Sequence, residues 1–222
     1  MKDSILWDKE SDAYTHRAKD KFGDVYSHYD LFVVNKCIKL LNDFSLSPST
    51  ILDLGCAYGG FTHHLSKVLT DAHFFGIDPG EESIRFARQH LESKNISFRQ
   101  GYAHEIPVAD GKFDLIVLNM VLQWIPRNYL ARTIAEIDRV LSTDGVVFVQ
   151  EFLPHIPKYS ASSHDDRIFI FKDDYKRFFM SFPWLKLMYK ENIDSAQGDD
   201  YQKEIFLIRK INLDQAYTLK TW

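Results

Sequence analysis

Apolar positions recur along this chain in two rhythms. Between residues 28 and 44, HYDLFVVNKCIKLLNDF spaces Leu31, Val34, Ile38 and Leu41 three to four apart, as one face of a helix requires. Pro48 closes that unit. Beyond it come short, nearly continuous apolar runs: ILDLG at 51–55, AHFFGID at 72–78, ISFRQ at 96–100, FDLIVLN at 113–119 and GVVFVQ at 145–150. Helical spacing alternates with these strands. It runs over 59–69 with Phe61, Leu65 and Val68 inward, then through Ile84, Ala87 and Leu91, and over 127–142 with Leu130, Ile134, Ile137 and Leu141. Strands this apolar, separated by amphipathic helices, predict a parallel sheet covered on both faces.

The rhythm changes after Glu151. FLPHIPKYSASSHDDR, rich in proline and serine, reads as a site loop. A short helix near 173–181 and strands at 184–190 and 205–210 follow, and QGDD between the two strands suits a tight antiparallel connection. The expected fold class is α/β: a mostly parallel seven-stranded sheet with an antiparallel edge strand and helices on both faces. The chain is expected to be one domain over 1–222.

Composition narrows the function. Hydrophobic residues make up 45% and charged residues 26%, a globular balance. The net charge of −4 offers no general attraction to phosphate backbones, so nucleic acid is not expected as a partner. No apolar run approaches the roughly 18 residues of a membrane span, and MKDSILWDKESDAY carries charges where a secretion signal needs an apolar centre. Cys37 and Cys56 lie inside predicted elements, which suggests reduced thiols and a cytoplasmic setting.

Candidate chemistry begins at the first strand. Asp53-Leu-Gly55-Cys-Ala57-Tyr-Gly59-Gly60 breaks from strand to helix with glycines that permit close backbone approach. Asp78 ends the next strand, where a carboxylate accepts hydrogen bonds from both hydroxyls of a ribose. Together these imply an adenosine-type ligand and leave open whether it is NAD. A tight turn with Asp78 as a helix cap is the bland alternative.

The order of motifs resembles the class I S-adenosylmethionine (SAM) dependent methyltransferases over about 51–150. Asp53, Gly55, Ala57 and Gly59 match the acid and Gly-x-Gly-x-Gly of the first motif. Asp78 matches the second acid, GYAHEIP from Gly101 to Pro107 the third motif, Phe113–Ile116 the fourth strand, and EIDRVLSTDG the entry to the fifth. The resemblance implies a Rossmann-like fold, with 46–150 as the SAM-binding core, 1–45 as a lid region, and 151–222 carrying the acceptor loop and edge strands. It implies SAM as cofactor, leaving as S-adenosylhomocysteine, held by Asp53, Gly55, Cys56, Ala57, Gly59, Asp78, Pro79, Tyr102, Ala103 and Asn119. Two departures stand out. Ala57 replaces a glycine and is expected to keep a negative φ, and Tyr102 replaces the acid that takes the adenine amino group in the family.

Methyl transfer is an in-line displacement, so the protein mainly positions the acceptor. LNMVLQWIP resembles the same region of carboxyl methyltransferases, which makes Gln123 a candidate to orient an acceptor oxygen and Trp124 a pocket wall; Trp124 as core is the alternative. His164, beside Asp165 and Asp166, is the first candidate base for a hydroxyl acceptor, with His155 and Glu151 as rivals. Arg167 would hold an acidic acceptor, and Tyr14 would close over the site. No metal is expected. The function expected is methyl transfer to a hydroxyl or carboxylate oxygen of a small molecule, by a monomer or homodimer. Alternatives are an RNA or protein methyltransferase, a SAM-binding protein without catalysis, and an NAD-dependent oxidoreductase.

Overall fold

The computed structural model describes residues 12, 13, 15, 16, 31–162, 169–193 and 201–212. The sheet is built from β1 (Thr50–Leu54), β2 (His73–Asp78), β3 (Ile96–Gln100), β4 (Phe113–Asn119), β5 (Leu141–Phe152), β8 (Leu185–Ile193) and β9 (Lys203–Lys210). Its spatial order is β3-β2-β1-β4-β5-β9-β8. The first five strands pair in parallel, whereas β9 runs antiparallel to both β5 and β8. The antiparallel strand at that edge is therefore seated one in from the outermost. Strand order reverses between β1 and β4, which opens a crevice at their carboxyl ends.

Each sheet face has its own core. On one side, α1 (Leu31–Asp43) and α2 (Gly60–Ser66) cover Ile51, Phe74, Leu115, Val117, Val146 and Phe148. On the other, α4 (Arg127–Val140) and α5 (Lys176–Phe179) cover Leu52, Ile77, Ile116, Leu118, Val147 and Phe206. Alternate strand residues thus feed opposite cores, as the pleat dictates. Between β2 and β3, α3 (Glu81–Leu91) packs Ile84 and Ala87 on Phe98 and Cys56.

Several expectations need correction. The buried face of α1 runs through Val33, Val34, Cys37, Leu40 and Leu41, while Leu31 is 44% exposed. Val68, expected inward, lies beyond the end of α2 and is 53% exposed. The helix expected to reach 142 ends at Val140, and β5 starts at the next residue, because Leu141 pairs with Phe113. Residues expected to be loop after Glu151 include β6 (Lys158–Ala161), which pairs antiparallel with β7 (Phe169–Lys172) as a separate two-stranded sheet.

Two family motifs serve the scaffold. Asp114 Oδ2 accepts the N–H groups of Ser49 and Thr50 and both their hydroxyls, fastening the start of β4 to the start of β1. Glu136 accepts the Ile106 N–H at 2.8 Å, and its ion-pair partner Arg139 donates to the carbonyls of Ile106 and Val108. This clamp holds the segment after β3 against α4.

Asp12 and Thr15 contact the start of α3. Asp12 Oδ1 accepts the Ser83 N–H at 2.9 Å, and Thr15 Oγ1 lies 2.7 Å from Ser83 Oγ. The α3 N-cap, Gly80, supplies no side-chain cap of its own, so a residue some seventy positions away performs that task. Asp12→Ala is expected to lower the unfolding free energy by about 1 kcal/mol, read from the urea midpoint.

Candidate functional site

The crevice at the carboxyl ends of β1 and β4 is shaped first by backbone. After Leu54 the chain turns back on β2, with the Gly55 and Cys56 N–H groups both donating to the Ile77 carbonyl. Gly55 and Gly59 hold φ of +79° and +84°, in the left-handed region that favours glycine. A Cβ at Gly55 would lie 2.5 Å from Val121 Cγ2, so the turn after β1 and the turn after β4 touch only because that side chain is missing.

Ala57 departs from expectation: its φ is +46°, not negative. The conformation is held by its N–H, which donates to Asp78 Oδ2 at 2.9 Å. The other carboxylate oxygen, Oδ1, accepts the Gly80 N–H at 2.8 Å. Asp78 is 4% exposed, and a carboxylate can accept several donors at once. Since alanine in this region costs about 1 kcal/mol, Ala57→Gly is expected to raise stability by about 0.5–1 kcal/mol in thermal unfolding.

Asp53 stands behind the turn at 4% exposure. Its Oδ2 accepts the Thr62 N–H and hydroxyl, which ties β1 to the first turn of α2. Burial pushes its carboxyl up to about 6, against the two Thr62 hydrogen bonds, with the nearby Asp78 charge adding to the rise. Its place is beneath the turn, supporting it. Cys56 is buried beside both acids, and burial raises its thiol well above the ordinary range. Pro79 accepts Gln100 Nε2 at its carbonyl.

After β3, Tyr102 begins an aromatic row absent from the sequence expectations. Its ring centroid lies 5.5 Å from that of His104, which stacks on Tyr129 at 4.3 Å and 22°. Burial, helped by the Arg132 charge, lowers the His104 pKa. Ala103 packs against the core of the α4 face.

The turn expected on the acceptor side follows β4. Asn119 pairs with Gln150 in register, and the Met120 N–H donates to the Gln150 carbonyl with Met120 at φ +61°. Gln123 is 4% exposed; its Nε2 donates to the Met120 carbonyl at 3.1 Å, while its Oε1 is buried without a hydrogen-bond partner. Trp124 is half-buried beside it, not enclosed in the core.

Of the candidate bases, His155 and Glu151 lie among the described residues. His155 is exposed on the segment after β5. Glu151, a rival base by sequence, is only 1% exposed, and burial pushes its carboxyl up to about 8. It is a buried acid. His164, Asp165, Asp166, Arg167 and Tyr14 lie outside the described residues. Among the described residues no cluster of His, Cys, Asp or Glu could hold a metal ion, and no helix is long and apolar enough to cross a membrane.

The crevice fits the adenosine end of a cofactor: glycines whose positive φ brings the turn close to its neighbours, and a carboxylate at the end of β2 of the kind that accepts from a vicinal diol. Similarity to known proteins runs the same way. A family profile described as methyltransferase domain matches residues 46–181. The chain is 34% identical over 139 residues to a demethylmenaquinone methyltransferase of Lactococcus lactis, covering 60% of this chain and 53% of that protein. It is 36% identical over 99 residues to a malonyl-[acyl-carrier protein] O-methyltransferase of Methylococcus capsulatus, covering 44% and 35%. The chain thus spans about half or less of the curated relatives it matches. Among solved structures, a putative sarcosine dimethylglycine methyltransferase from Galdieria sulphuraria superposes with a TM-score of 0.68 at 14% identity, over 91% of this chain and 98% of that one.

Proposed function

We propose, for a chain that belongs to the class I SAM-dependent methyltransferase family, transfer of the SAM methyl group to an oxygen of a small-molecule acceptor, with a carboxylate as the favoured acceptor class. The observation that carries the reading is the Asp78 carboxylate, held by the Ala57 and Gly80 N–H groups at the mouth of the Gly55–Gly59 turn. When bound, SAM supplies a methyl group on a sulfonium, already activated for displacement.

The chain's own residues do the rest. Asp78 takes the ribose hydroxyls, the Gly55–Gly59 backbone lies along the amino-acid end, and Tyr102 offers a ring or hydroxyl to the adenine. Asn119 stands at the end of β4, between the cofactor turn and the acceptor turn. Gln123 and Trp124 form the acceptor side, with the Gln123 amide available to orient an oxygen. A carboxylate needs no base to attack, which agrees with a site whose buried acid, Glu151, is shut away from it. The malonyl-carrier-protein relative supports the same acceptor class.

The test incubates the protein with methyl-labelled SAM and a metabolite extract of its source, then treats the low-mass products with alkali. Label released as methanol supports a methyl ester. Label retained on small molecules indicates an ether or amine, and directs attention to His155 and His164 as bases. Label on RNA or protein removes the small-molecule reading.

A further inference from the structure

Glu151 is the most completely buried acid at the carboxyl edge of the sheet, and nothing in the cofactor cradle uses it. It lies on β5 one residue from the strand end, on the face shared by Val147 and Val149. Its Oε1 accepts the Leu122 N–H at 2.5 Å. An amide of the acceptor-side turn is therefore tied to a side chain of β5. That turn is under strain, since Met120 sits at φ +61° without being glycine, and such a conformation persists only where its surroundings fix it.

We propose that Glu151 is a positioning residue for the methyl acceptor: its buried carboxyl pins the turn at 120–124 and so fixes where Gln123 and Trp124 stand. The proposal rests on the reading of that turn as the acceptor side.

The surroundings explain why an acid serves here. Directly across the ladder from Glu151 is Glu204 of β9, itself 3% exposed. Lys176, ahead of the other cations, is committed to Glu204 at 2.7 Å and to Asp174 at 2.6 Å. Tyr175 lies close by with its hydroxyl on the Phe171 carbonyl, and Asp173 is paired with Arg177. Lys176 neutralises Glu204, and burial pushes the Glu151 carboxyl up, which favours its protonated form. A neutral carboxyl both accepts the Leu122 N–H and carries a proton to donate. Its Oε2, Gln123 Oε1 and Gln150 Oε1 are buried oxygens without partners at the same sheet edge, so an acid in place of a carboxylate removes one acceptor and adds one donor.

The test compares wild type, Glu151→Gln and Glu151→Leu. Gln keeps an accepting oxygen and a donor without charge; Leu keeps volume and loses both. Calorimetry with S-adenosylhomocysteine reports the cofactor half, amide exchange of the 118–126 segment reports the turn, and transfer to the malonyl thioester of N-acetylcysteamine reports the acceptor half. Leu is expected to speed exchange at Val121, Leu122 and Gln123 and to lower kcat for the thioester by about 100-fold, the scale of a 1 Å misplacement, with S-adenosylhomocysteine affinity unchanged. Gln is expected to restore slow exchange and most of kcat, and to abolish the fall in turnover expected of wild type as pH rises past 8. Slow exchange in the Leu variant, or a Gln variant as impaired as Leu, overturns the proposal. If wild type binds S-adenosylhomocysteine but leaves the thioester unmethylated, the carboxylate reading falls, and exchange alone then supports or overturns the pin.

Discussion

Asp78→Ala is expected to weaken S-adenosylhomocysteine binding by about 2–4 kcal/mol, or roughly 30- to 1,000-fold in Kd. The loss has two parts. The ribose hydroxyls lose a charged acceptor, typically about 1.5–3 kcal/mol for such hydrogen bonds. The Ala57 and Gly80 N–H groups also lose the oxygens at 2.9 and 2.8 Å that hold the glycine turn in place. Asp78→Asn should fall between, because an amide offers one oxygen where two N–H groups each need one. Calorimetry on the three proteins decides the matter, and an unchanged affinity in Asp78→Ala would put the cofactor somewhere other than this crevice.

The second large effect concerns pH. Glu151 is raised from 4.5 to about 8 and Asp53 from 3.8 to about 6, both chiefly by burial. An acid whose folded value lies above its unfolded value favours the folded state while protonated. The associated stability is complete below the unfolded values and is lost as pH rises, through about 6 for Asp53 and about 8 for Glu151. For Glu151 alone the loss between pH 5 and 8 amounts to about 4 kcal/mol at most, at 1.36 kcal/mol per pKa unit. Wild type should therefore weaken toward alkaline pH, whereas Glu151→Gln should be flatter and gain on wild type by that margin. Urea unfolding across pH 5–9 measures the difference. Parallel curves would mean that Glu151 is already ionised in the folded protein.

Much of the fold was legible because the strands carry few interruptions: ILDL, HFFGID and FDLIVLN are buried on both sides and cannot be mistaken for solvent-facing segments. The cofactor turn was legible because glycine at Gly55 and an acid at Asp78 are the residue types a close ligand approach and a ribose require. Other features left weaker traces. Leu31, Phe32, Val33 and Val34 are four apolar residues in succession, so periodicity could not phase α1, and the inward face came out displaced. Strands β6 and β7 are four residues each, too short to alternate convincingly, and they pair across the expected loop. Ala57 looked incompatible with a positive φ because its compensation, the Asp78 carboxylate, lies twenty-one residues away. Glu151 looked like a base because sequence shows a carboxylate at a strand end but not the exposure that decides its role. The Glu136–Arg139 clamp was recognised as a motif without a purpose, since its partners are backbone carbonyls, which carry no sequence signature.

The placement of β9 between β5 and β8 bears on biosynthesis. A chain emerging residue by residue completes β1 to β5 first, and these can assemble as a parallel core. β8 is made next but has no neighbour to join, because its partner, Lys203–Lys210, is still to come. Until then the GVVFVQ edge of β5 is open along most of its length, an uncharged apolar ladder of the kind that pairs with other chains. A single late insertion both protects β5 and captures β8. Nascent chains halted before residue 203 should consequently be the species that holdase chaperones retain, and release should coincide with the appearance of β9.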